Sequence, residues 1–330
     1  MLGSLARGCA AALLVLGALA APAWAEAPVT LDPPKDAPVT LPAPVGEPET
    51  IPLPGETVPK PGTPAIWHVT KPNGGTITLF GSVHLLPAGR DWHTPALNAA
   101  LDQAETVVFE TPLDAMNSPE TMAYLQKHIM NPPGVTLSTL LSPEDKAVVE
   151  KAAGEVGAPF GMMEGFRPWF ASLQLAVLYA VHDGFDPNSG VDKKVEADAK
   201  AKGKKLDYFE TTQEQLDFFV TMPSAQELEF LLSTAKDILE RPNELRDMVE
   251  AWFAGDVAKL SETINGGLEE TPDIAKLILY DRNVRWVEKI TSTYMADGND
   301  YLIVVGAGHL IGDKGVPALL RAKGLKVEGP

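Results

Sequence analysis

Cysteine is nearly missing from this chain: there is one in 330 residues, Cys9. That count excludes an internal disulfide, a Cys-rich zinc site and an iron–sulfur cluster. Positive charge is also scarce, with 27 Lys and Arg against 44 Asp and Glu and a formal net charge of −17. So acidic a chain repels phosphate backbones and anionic lipid, which argues against nucleic acid and membrane surfaces as partners. Several catalytic signatures are missing too. There is no Gly-x-Ser-x-Gly elbow, no His-Glu-x-x-His helix, no phosphate-cradling Gly-Lys-Ser/Thr loop and no dinucleotide Gly-x-Gly-x-x-Gly fingerprint.

Long apolar runs are confined to the N-terminus. Arg7 is followed by the run from Cys9 to Ala20, and Ala23-Trp24-Ala25 then offers a small-x-small cleavage site. This order predicts a secretory signal peptide over residues 1–25, too short for a membrane span. The expected location is therefore periplasmic or secreted, with no membrane insertion after cleavage. Removal of the signal takes away the lone cysteine and Arg7, which suits an oxidising compartment. Residues 26–64 hold 12 of the 29 prolines. Proline at that density removes backbone donors and biases its neighbours toward extended geometry, so a disordered linker is expected there.

From residue 65 to 330 a single domain is expected, in which short apolar strands alternate with helices. Residues 65–80 read as a β-hairpin around Asn73-Gly74-Gly75. Thr106–Phe109, Lys205–Phe209 and Tyr301–Val305 read as strands, and Leu325–Val327 as a closing one. Ser118–Lys205 reads as mostly helical, with a buried helix at Trp169–Val181, and an amphipathic helix is expected around Ile274–Tyr294. The predicted class is α/β, with a mostly parallel central sheet, helices on both faces and a large helical insertion.

Two phrases repeat. Phe80-Gly81-Ser82-Val83-His84 and Val305-Gly306-Ala307-Gly308-His309 each place a histidine three residues after a glycine at a strand end. Phe109-Glu110-Thr111 and Phe209-Glu210-Thr211 each place a glutamate at a strand end. Ligands bind beyond the carboxyl ends of strands in open α/β sheets, so these groups converge if the strands are neighbours. The motif glycines, Gly81 and Gly306, are expected to adopt φ values closed to other residues and to let each turn pack tightly. His68, His93, His128 and His182 carry no such context and read as ordinary hydrogen-bonded residues.

Two imidazoles with one or two carboxylates match a catalytic divalent-metal site, and a spare carboxylate can transfer protons. The expected ligands are His84, His309 and one of Glu110 and Glu210, with Glu110 favoured, and the other glutamate is the expected proton-transfer group. The metal is expected to be Mn²⁺, Co²⁺ or Zn²⁺. A second tier is Arg282 with Asn283, as substrate-binding groups that clamp a carboxylate or a developing oxyanion. Asp192-Lys193-Lys194-Val195-Glu196 reads as a solvated helix face.

Taken in order, the phrases Phe80–Pro87, Val108–Thr111, Gly190-Val191-Asp192, Phe209–Thr211 with Gln215, Asp281-Arg282-Asn283 and Val305–Leu310 resemble the TraB/GumN family, relatives of the Tiki proteases. The resemblance implies metal-dependent hydrolysis of a peptide or protein substrate, with His84, His309, Glu110 and Glu210 at the site. It also implies a fold like that of the erythromycin esterase and ChaN-like groups. Ser82 stands where the family usually has Thr, and Asp281 where it usually has Glu. Two further readings come from other classes: a non-enzymatic envelope or surface-polysaccharide assembly factor, and a haem- or metal-binding module.

Overall fold

A computed structural model describes residues 63–268 and 271–330. The expected signal peptide and all but the last two residues of the expected linker lie outside the described residues. Thr63, at the end of that segment, donates its N–H to the Phe253 carbonyl (2.7 Å).

Among the described residues eight strands form two sheets. The first two, β1 (Ile66–Thr70) and β2 (Thr76–Ser82), make the expected hairpin. Its turn uses positive φ at Gly74 (+82°) and Gly75 (+76°), a region that costs glycine nothing. After β3 (Leu86–Pro87), Thr94 caps the helix Pro95–Gln103 by accepting from the Leu97 N–H. Strand β4 (Thr106–Phe109) leads into a helical stretch that holds β5 (Phe185–Asp186). Strand β6 (Lys205–Tyr208) leads into a second helical stretch, and β7 (Tyr301–Gly306) and β8 (Val327–Glu328) close the chain.

The main sheet has the order β6-β4-β7-β2-β1-β8. Strands β6, β4, β7 and β2 run parallel, while β1 is antiparallel to both β2 and β8. The sheet is thus mixed, not mostly parallel as expected. The reason is local, since a short turn can join only antiparallel neighbours, so the hairpin sets β1 antiparallel to β2, and β8 pairs outside it at the edge. All six residues of β7 are buried, as a strand covered on both faces requires. The parallel heart puts the carboxyl ends of β2, β4, β6 and β7 on one edge.

Pro168–His182 is the buried helix that the sequence predicts, packed on Ser224–Glu240 with Ser172 Oγ 2.9 Å from Thr234 Oγ1. The expected helix over Ile274–Tyr294 is less regular than its amphipathic pattern suggests. It runs as an α turn (Pro272–Ala275), a π turn (Lys276–Tyr280), an α segment (Asp281–Lys289) and a second π turn (Ile290–Tyr294). Such π turns are rare and cluster at functional sites. Both flank the segment that carries Arg282 and Asn283.

Candidate functional site

The two glycine–histidine phrases sit on paired strands, one residue out of register: Gly81 lies opposite Val305 and Ser82 opposite Gly306. Neither motif glycine takes a positive φ, which corrects the expectation above. Gly81 is needed for closeness instead, because a Cβ there would lie 3.0 Å from the Ala307 Cα. Gly306 sits at φ −50°, ψ 135°, and gives its N–H to Glu110 Oε1 (2.7 Å). The β4–β6 pairing continues past the strands, with the Glu210 N–H donating to the Glu110 carbonyl (2.9 Å). His84, Glu110, Glu210 and His309 are all buried at this edge.

Arg282 lies at the centre of the group, with no exposed surface. Its Nη2 donates to Glu110 Oε2 (2.6 Å) and Glu210 Oε2 (2.8 Å), and its Nε bridges both Glu210 oxygens (3.1 and 3.0 Å). Its Nη1 donates to the Ile278 carbonyl in the first π turn (3.0 Å) and lies 3.2 Å from His309 Nε2. The guanidinium is therefore committed within the protein, and its fork geometry is what lets one cation hold two carboxylates. Glu210 also accepts from Trp286 Nε1 (3.1 Å) and Arg285 Nη2 (3.3 Å). Trp286 stacks on Phe209 (4.7 Å) and tilts against His309 (4.2 Å).

The protonation states follow from these neighbours. Burial pushes the Glu110 carboxyl up, but Arg282, the two imidazoles and the Gly306 N–H outweigh it and bring it down to about 2. Burial drives His309 down; Glu110 opposes this, Arg282 and His84 add to it, and the imidazole falls to about 3. His309 is thus neutral, with Nδ1 2.5 Å from Asn283 Oδ1. Asn283 is oriented in turn by donating its amide to the Lys314 carbonyl (2.8 Å), so its oxygen faces the ring. The Nδ1 of His309 accordingly carries the hydrogen and Nε2 the lone pair.

His84 lies in a small cleft lined by Ser82, His84, Glu110, Thr111, Asp192 and Gln215 among others. Its Nδ1 is 3.0 Å from Asp192 Oδ2. Gln215 Nε2 donates to Glu110 Oε2 (3.3 Å) from the same cleft. Glu210 is not part of this lining. Two atoms of the cleft residues, Ser82 Oγ and Asp192 Oδ1, are buried without a hydrogen-bond partner.

Asp192 corrects the reading of residues 192–196 as a solvated face. Asp192 and Glu196 are buried beside Val195 and Ala199, while Lys194 points outward. The spacing 192, 195, 196, 199 was the available signal: it is one helix face, and two of its four members are apolar. Asp281 sits apart from the site, half-exposed and paired with Lys276. His68, His93 and His128 make local bonds, to Thr78, Asp91 and the Tyr124 carbonyl, and His182 is exposed.

A family model described as TraB/PrgY/gumN matches residues 65–329. The chain belongs to the TraB/PrgY/gumN family. It is similar to the uncharacterized protein YbaP of Escherichia coli (strain K12), at 22% identity over 258 residues, covering 78% of this chain and 92% of that one. The YbaP protein of Shigella flexneri gives the same identity and coverage. No solved structure matches. Of the phrases quoted for the resemblance, those carrying His84, Glu110, Glu210, Arg282 with Asn283, and His309 lie at the carboxyl edge just described.

Whether these residues suit a divalent ion is a question of donors and charge. Among the described residues no group of three or more His, Cys, Asp or Glu is drawn together as a ready-made metal cage. The donor types fit in part: the lone pair of His309 Nε2 faces Arg282 Nη1 (3.2 Å), so an ion at this nitrogen would displace that contact. Each imidazole has its Nδ1 taken by an oxygen, which makes Nε2 the nitrogen that can carry a lone pair. Three carboxylates, Glu110, Glu210 and Asp192, are buried here against one buried guanidinium. Arg285 adds a half-exposed cation at Glu210, and Ser82 Oγ and Asp192 Oδ1 are the buried oxygens left for a further donor or cation to meet.

Proposed function

We propose that the protein is an exported metal-dependent hydrolase acting on peptide bonds, with the metal held by His84, His309 and Glu110. The observation that carries the proposal is the pair of imidazoles, each held through Nδ1, near an ionised, buried Glu110. A bound divalent ion supplies the Lewis acidity that makes hydrolysis accessible at neutral pH.

This chain's own residues do the rest. Asn283 and Asp192 hold the two rings, and Arg282 with the Gly306 N–H keeps Glu110 ionised and in place. Glu210 is read as the counter-ion that fixes Arg282, since Arg282, Arg285 and Trp286 donate to its oxygens. Arg282 accordingly acts on substrate only through Glu110 and His309. Gln215 and Ser82 line the cleft where a scissile group would lie. The same reading takes the fold to be of the erythromycin esterase and ChaN-like type, supported by a site at the carboxyl edge of a parallel sheet heart. Export is supported by the order of charge, apolar run and cleavage site in residues 1–25.

The test is metal analysis of the full chain purified without chelator, followed by a peptide-library assay with added Mn²⁺, Co²⁺ or Zn²⁺. Cleavage should require the ion and be lost in the His84→Ala/His309→Ala double variant. Cleavage that persists in that variant, or no cleavage with any of the three ions, would count against the proposal.

A further inference from the structure

We infer that Asp192 is a positioning residue of this site: it sets the ring of His84 and decides which ring nitrogen faces the cleft. The evidence begins in the backbone. The loop after β2 and the segment before helix Val191–Ala201 are joined by the small sheet in which Leu86 pairs with Asp186 and Pro87 with Phe185. The Val191 N–H then donates to the Val83 carbonyl (2.9 Å). At Gly190 the two segments are so close that a Cβ would lie 2.5 Å from the His84 carbonyl oxygen. Glycine is required there for that approach alone, because no larger residue fits against a backbone oxygen.

These contacts put Asp192 in the first helical turn with Oδ2 3.0 Å from His84 Nδ1, both side chains buried. At 3.0 Å from a carboxylate oxygen, the ring nitrogen is the donor, so the hydrogen is on Nδ1. A ring held in this way through Nδ1–H is the arrangement that orients ligating histidines and raises their basicity. His309 receives the same service from a neutral amide, Asn283, so the two rings are held alike but by groups of different charge. The assignment rests on the proposed ligand role of His84 for its consequence, but not for its geometry.

The experiment separates the two. Histidine-selective ¹⁵N spectra of the full chain, recorded where the ring is neutral, are compared for wild type, Asp192→Ala and Asp192→Asn. The His84 signals are identified by their loss in His84→Ala. Wild type should show one tautomer, protonated on Nδ1; Asp192→Ala should show averaging between tautomers; and Asp192→Asn should fall between, because an amide can both accept and donate. In parallel, Zn²⁺ affinity should drop about 10–100-fold in Asp192→Ala. Ring signals unchanged in Asp192→Ala would overturn the inference. If wild type takes up no Zn²⁺, Mn²⁺ or Co²⁺ while the ring signals change as stated, the metal proposal fails and the positioning role stands. Should Asp192→Ala not fold, Asp192→Leu, close in size and offering the ring no acceptor, decides on the same spectrum.

Discussion

The two histidine arms come from nearly the same phrase and end in different surroundings. His309 follows β7, is almost wholly buried, packs against Trp286, and is flanked by the amide of Asn283 and the guanidinium of Arg282. His84 follows β2, lines a cleft, and is held by the carboxylate of Asp192. A Gly-x-x-His phrase fixes where an imidazole emerges from a sheet edge. The elements packed on that edge fix what it can do there. One arm is built into a rigid, charge-paired interior, and the other opens toward the space where a ligand would sit.

The largest effect should come from breaking the interior arm at Arg282. Arg282→Met leaves Glu110 and Glu210 buried without their cation, a class of change that costs about 3–5 kcal/mol. Urea titration should show that loss, while Arg285→Met, whose side chain is half-exposed, should change stability by less than about 1 kcal/mol. Similar losses for the two would mean that Arg282 is not the keystone described here.

Next in size is the clamp on the cleft arm. Gly190→Ala forces a methyl group against the His84 carbonyl, and overpacking of this kind costs about 1–3 kcal/mol. Gly74→Ala has open space around it and pays only for its positive φ, about 1 kcal/mol. Thermal melts should rank Gly190→Ala as the more damaging of the two, and the reverse order would argue against a close clamp.

A smaller effect distinguishes the arms by pH. The folded-state value of His309, about 3, lies below its ordinary 6.5, so on acidification the unfolded chain takes up the proton first. Stability is full above about pH 6.5 and falls as pH drops toward 3, by at most about 1.4 kcal/mol per pH unit. Glu110 adds a loss of the same sign between 4.5 and about 2. Wild type should therefore lose more stability between pH 7 and 5 than His309→Gln does, and equal losses would place His309 in a far less buried setting.

How much of this was legible beforehand differs along the same division. The strand ends were readable because short apolar runs such as Tyr301–Val305 stop at a glycine, and their parallel pairing brings the motif residues to one edge. The hairpin was readable from Asn73-Gly74-Gly75, yet its consequence, a mixed sheet, went unread. Arg282 was singled out as a substrate clamp. Its position between two glutamates 72 and 172 residues away in the chain is a tertiary fact that no local pattern encodes. The π turns at Lys276–Tyr280 and Ile290–Tyr294 leave no compositional trace either. Asp192 stood in one phrase of the resemblance, yet its burial went unread: beside Lys193 and Lys194, an acidic residue looks solvated unless the helix face is counted out.

The central claim is that the two arms share one cation through Glu110, and it is tested most directly by calorimetric titration of the full chain with Zn²⁺, Mn²⁺ and Co²⁺. Near-stoichiometric binding of at least one of these ions by wild type, weakened strongly and to a similar degree by His84→Ala, by His309→Ala and by Glu110→Gln, is the predicted result. Binding that survives in all three variants as in wild type would contradict it.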